Sequence, residues 1–173
     1  MNRARFTTLS GMILAVAATR LLPHPPNVSP VAAMALFGGA YFEDKRLGFL
    51  IPLSAMFLSD LILGFHSTLP FVYGSFALIT LMGFSLQKQK SFPRIATGVL
   101  LSSILFFVVT NFGVWLMENL YPKNFPGLLA CYTAAVPFFR NTLIGDFGYS
   151  AVLFGAMELV ERTYPNVKAY SRT

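Results

Sequence analysis

Charge is what this sequence holds least of. Only 12% of its 173 residues are Asp, Glu, Lys or Arg, about half the share of a soluble domain. A chain of this size without a charged coat does not stay dissolved, so a soluble globular domain is excluded. Cysteine occurs once, as Cys131, which rules out an internal disulfide and any cysteine-based metal motif. Histidine occurs twice, as His24 and His66, too few for a histidine cluster. Both lie between the apolar stretches, so axial haem ligation within them is excluded too.

What remains is apolar. Hydrophobic residues make up 55% of the chain, phenylalanine alone occurs 18 times, and mean hydropathy is +0.61. The class is an all-α, polytopic integral membrane protein forming one domain over residues 1–173, with the lipid bilayer as its surroundings. The net charge of +6 does not point to nucleic acid, because basic residues of a membrane protein gather in its cytoplasmic loops.

A span needs about 20 apolar residues. Six are read: Phe6–Leu22, Pro30–Phe42, Leu47–Phe65, Leu69–Leu86, Ile95–Met117 and Asn141–Val160. The apolar region Leu128–Val160 would make a helix of about 50 Å, longer than a hydrocarbon core of about 30 Å. A break is expected at Pro137, leaving a short outer-side helix over Gly127–Val136. Pro30–Phe42 would reach only about 20 Å, short for a crossing, and a re-entrant or surface segment is the alternative.

Charge favours the crossing. With six spans and a cytoplasmic N-terminus, the inner side holds Arg3, Arg5, Lys45, Arg46, Lys88, Lys90, Arg94, Arg162, Lys168 and Arg172, while the outer loops hold Lys123. Both termini are then cytoplasmic, at the cell (inner) membrane. The opening "MNRARFTTLSGMILAVAAT" also has the shape of a signal peptide, but its apolar stretch runs on to Leu22 without a polar cleavage region.

Applied to this topology, the polar residues collect in the outer half. Asp60 and Asp146 lie about 8 Å below the outer ends of their spans, and Asn111 lies about 9 Å below. Arg20, His24, Trp115 and Arg140 sit at or near the mouth. Thr142, Asp146, Tyr149 and Ser150 share one helix face, which continues inward as Leu153, Phe154 and Met157. A channel needs polar residues in both halves, so a cup opening outward is expected instead. The other reading is structural: ion pairs of Arg20 with Asp60 and of Arg140 with Asp146. Gly11, Ala15 and Thr19 form a small-residue stripe on the first span that would let a partner helix approach closely.

The stretches "RLLPHPPNVSPVAAMALFGGAYF", "TNFGVWL" and "YPKNFPGLLACYTAAVPFFRNTLIGDFGYS" resemble a family of small prokaryotic membrane proteins of uncharacterised function. That family is similar, more loosely, to the substrate-binding S components of energy-coupling factor (ECF) vitamin transporters. The resemblance implies a six-helix bundle that binds a vitamin near the outer face. It also implies docking through the Gly11, Ala15, Thr19 stripe onto a transmembrane coupling subunit driven by two ATPases.

The expectation is therefore a non-enzymatic membrane subunit that captures a small water-soluble nutrient, such as a vitamin or its precursor. Asp60, Asn111, Asn141 and Asp146 are its candidate polar contacts. Arg20 and Arg140 would hold an anionic group, and Trp115, Tyr149 and Tyr73 would stack on a flat ring. No resident cofactor or metal is expected; Cys131 and His24 are the residues that would ligate the cobalt of a corrinoid cargo. The alternatives are a scaffold whose polar layer fixes helix packing, and an intramembrane enzyme acting on lipid or isoprenoid through Asp60 and Asp146. The two acids belong to no DxxD-type cluster.

Overall fold

In the computed structural model, which describes residues 1–168, the chain folds into six α-helices, with no strand among the described residues. They are α1 (Arg3–Ala18), α2 (Val31–Tyr41), α3 (Lys45–Leu63), α4 (Leu69–Phe84), α5 (Phe92–Met117) and α6 (Phe125–Thr163). Short 3₁₀ turns follow α1 (Thr19–Leu21) and α6 (Pro165–Val167). Arg172, counted above among the basic residues, lies outside the described residues. By length and hydropathy α3, α5 and α6 can each cross a membrane.

Local sequence sets the helix starts. Asn2, Asp44 and Asn124 cap α1, α3 and α6 by accepting backbone N–H bonds from Arg5, Arg46 and Gly127. Proline stands in the first turn of α4, α5 and α6, where its missing N–H costs nothing.

The apolar run Val31–Tyr41 is apolar on every side, and a helix of that kind belongs in an interior. All 11 residues of α2 are buried, with α1, α3, α4, α5 and α6 packed around it. As a helix of about 16 Å it reaches roughly half the hydrocarbon thickness, and it meets protein on all sides rather than lipid. The irregular segment Leu22–Pro30 joins the 3₁₀ turn after α1 to α2. Glycine brings α2 close to its neighbours. A Cβ on Gly39 would strike the Thr80 carbonyl and lie 2.9 Å from Gly83 Cα, and one on Gly38 would lie 3.0 Å from the Gly48 carbonyl oxygen. Gly39 thus brings α2 onto the backbone of α4, and Gly38 brings it close to that of α3.

The expected break at Pro137 does not occur. α6 continues for 39 residues, about 58 Å, with Pro137 inside it, so Gly127–Val136 and Asn141–Val160 belong to one helix. Proline removes one internal hydrogen bond and crowds one carbonyl, and the rest of the ladder tolerates that loss. The N-terminal part of α6 lies on α5: Tyr132 donates to the Val108 carbonyl at 2.6 Å, and Phe107 packs on both Tyr132 and Phe139.

One end of the bundle gathers the basic loops. Arg5, 2% exposed, reaches Glu161 at 2.5 Å and the Val167 carbonyl at 2.8 Å. Asn2 donates to the Asn166 carbonyl, the terminal amine pairs with Glu43 at 3.1 Å, and Lys90 stands 4.9 Å over the Tyr41 ring. These contacts bring both ends of the described chain and the α2–α3 and α4–α5 loops to one face. The opposite end holds the α1–α2, α3–α4 and α5–α6 connections, where Ser67 donates to the Glu118 carboxylate.

Candidate functional site

The polar residues of the far half form separate groups rather than one level layer. The first group sits where α1 gives way to its 3₁₀ turn. Arg20 extends from that turn to α3 and pairs with Asp60, Nη2 to Oδ1, at 2.6 Å. Its Nη1 donates to Ser59 Oγ and to the Met56 carbonyl. Tyr73 of α4 donates to the second carboxylate oxygen of Asp60 at 2.8 Å. Asp60 is 2% exposed, and each of its oxygens holds a donor. This is a closed ion pair joining α1, α3 and α4, the structural alternative read from the sequence.

The second group is different. Asp146 of α6 is 3% exposed and has no cation within ion-pair distance among the described residues. The paired alternative for it fails: Arg140 is exposed, one and two-thirds turns away along the helix, and does not reach it. Ser103 of α5 donates to Asp146 Oδ2 at 2.7 Å. That hydroxyl has a single proton and also lies 3.0 Å from the Val99 carbonyl, so it satisfies the carboxylate at best partly. One turn below, Ser150 Oγ is buried without a partner, and one turn above is Thr142, also buried.

Segment Leu22–Pro30 covers this group. A Cβ added to Gly145 would lie 3.1 Å from Ser29 N and Val28 Cα, so a larger residue there would push the segment back from α6 by a few tenths of an ångström. Asn141 donates to the Pro26 carbonyl at 3.0 Å. The segment from Pro23 to Asn27, His24 included, is exposed, and Asn27 takes a left-handed φ of 63°.

Residues 1–167 match the model of a family described as a family of unknown function, DUF6580. The chain belongs to that family. No curated protein and no solved structure matches it.

In this DUF6580 member the third group, Asn111 and Trp115, closes the α5–α6 hairpin. Asn111 donates back to the Phe107 carbonyl at 2.8 Å, the Cys131 thiol lies 3.5 Å from the Asn111 carbonyl oxygen, and Trp115 Nε1 donates to the Pro122 carbonyl at 2.9 Å. No hydrogen bond joins these residues to Asp60 or Asp146 among the described residues. Tyr149 turns toward α1, where its hydroxyl and that of Thr19 are 3.0 Å apart. Thr19 therefore makes an internal contact, while Gly11 and Ala15 of the same stripe are exposed. Among the described residues no group of three or more His, Cys, Asp or Glu side chains is placed to hold a metal. The sequence reading passed over Ser59 and Ser103, the hydroxyls that meet Arg20 and Asp146. The only signal for Ser103 was a pair of serines, Ser102 and Ser103, inside an apolar run.

Proposed function

We propose that this protein is the capturing subunit of an uptake system for a small water-soluble nutrient, such as a vitamin or its precursor. The observation that carries the proposal is Asp146, a buried carboxylate without a counter-charge among the described residues, beneath a proline-rich segment held by the Asn141 hydrogen bond and the Gly145 seat. A buried carboxylate of this kind needs a cation, a proton or strong donors to be stable. A solute bearing an ammonium, amidine or similar donor group supplies them. Lifting Leu22–Pro30 would admit it without breaking a helix.

In this proposal the chain passes through the membrane six times, the second passage made by Leu22–Pro30 and α2 together. The basic end faces the cytoplasm by the positive-inside rule, so the solute enters from outside. Arg20, Asp60 and Tyr73 anchor the base of the segment. The exposed Gly11 and Ala15 of α1 are where an ECF-type coupling subunit and its ATPases would dock. The scaffold reading draws its support from the Arg20–Asp60 pair, which is complete without a ligand.

Ligand-induced stabilisation separates the two. A vitamin that binds and is present at 100 times its Kd should add about 2.7 kcal/mol, or roughly 5–10 °C in Tm for a chain of this size. Asp146→Asn should remove that shift while leaving the ligand-free protein at least as stable as wild type. A shift that survives Asp146→Asn, or a panel of water-soluble vitamins and precursors without a single shift, would rule against capture at Asp146.

A further inference from the structure

Between the halves of α5 and α6 nearest the basic end lies a cavity of about 500 Å³, which reaches the Asp146 group only at Ser150. Its walls are mostly apolar, with Ile95, Ala96 and Val99 from α5 and Phe147, Ala151 and Gly155 from α6, and Ser150 and Tyr41 add the polar atoms. From Phe147 to Glu158 it follows α6 for about 16 Å, the depth of one leaflet of a core about 30 Å thick. A Cβ on Gly155 would meet nothing within 4 Å, so the groove is open where that glycine stands.

The rim of the groove is cationic. Lys90 and Arg162 stand there with a single acid, Glu158. Arg162 binds Glu158 through Nε at 2.9 Å as an exposed pair, which contributes little stability. Lys90 has no carboxylate within ion-pair distance among the described residues, and its ammonium donates to the Gln87 carbonyl at 3.0 Å. Burial pulls Lys90 below the usual lysine range, against the opposing pull of Glu161, so an anion beside it would favour the ammonium further.

We propose that this groove is a binding site for an anionic phospholipid of the leaflet at the basic end. One acyl chain lies between α5 and α6, and the phosphate sits between Lys90 and Arg162. An apolar slot open to the bilayer fills with acyl chain whatever the headgroup; the unpaired ammonium at its mouth selects a negative one. The site is independent of the nutrient proposal, and Asp146→Asn should leave it unchanged.

Lipid binding to delipidated protein in detergent, followed by native mass spectrometry with dioleoyl phosphatidylglycerol and dioleoyl phosphatidylcholine, tests it. The anionic lipid should bind about 10-fold or more tightly. Lys90→Gln should bring it to the level of the zwitterionic one. Gly155→Leu, which places a side chain in the open groove, should weaken both. Arg3→Gln, exposed at the same end but outside the groove, should change neither. The proposal is overturned by equal affinity for the two lipids in wild type, or by a preference that survives both Lys90→Gln and Gly155→Leu. It is also overturned if Arg3→Gln matches Lys90→Gln, or if free glycerol phosphate competes as well as the lipid. If Lys90→Gln does not fold, Gly155→Leu and the wild-type lipid preference still decide it.

Discussion

Valine at position 83 should destabilise the bundle by about 3 kcal/mol or more, the upper end of what overpacking costs. A Cβ there would lie 2.5 Å from the Leu36 carbonyl oxygen and 2.9 Å from Gly39 Cα. Both obstacles are backbone, and the helix that carries them cannot withdraw, because α2 is enclosed by five others. A flexible side chain could turn aside; a carbonyl in a helix cannot. Thermal unfolding in detergent measures the effect, with Gly148→Val as its control. At Gly148 an added Cβ meets nothing within 4 Å, so that change should stay within about 0.5 kcal/mol. Equal melting of Gly83→Val and wild type would mean that α2 and α4 do not cross as described.

Removing Arg20 should have an effect of similar size for a different reason. Asp60 is 2% exposed, and Arg20→Ala would leave it with Tyr73 as its one remaining donor. Stranding one partner of a buried pair costs about 3–5 kcal/mol. The double change Arg20→Met with Asp60→Leu should recover most of that loss, because it removes the stranded charge along with its partner. Tyr73→Phe should cost less, about 1.5–3 kcal/mol, since a neutral donor to a charged acceptor is lost. If the double variant melts as low as Arg20→Ala, the pair does more than hold three helices together.

Much of this architecture was legible in the sequence. Apolar runs bounded by Pro, Gly and charge located the helices, and the basic residues marked one end of the bundle. The role of α2 was not legible, although its shortness was the right signal. Eleven apolar residues read the same whether they face lipid or protein, and only the glycines at 38, 39, 48 and 83, seen in contact, show which. Pro137 misled because the rule that proline ends a helix concerns one hydrogen bond, while α6 has many others and α5 beside it. The levels of Asp60, Asn111 and Asp146 were read from spacing along each span. Spacing gives depth but not direction, so it could not show that Asp60 faces Arg20, that Asn111 folds back on its own helix, and that Asp146 is left with a serine. Nor does periodicity reach the segment Leu22–Pro30, whose position depends on a glycine more than a hundred residues away.

The proposal rests most directly on Asp146 having a ligand. Mass spectrometry of the small molecules released from gently purified protein, wild type beside Asp146→Asn, tests that without choosing a ligand in advance. The account predicts one water-soluble compound bearing a cationic or strong donor group, near one per wild-type protein and lost from an Asp146→Asn variant of undiminished melting temperature. A wild-type protein that releases nothing, or an Asp146→Asn variant that retains the compound, would contradict it.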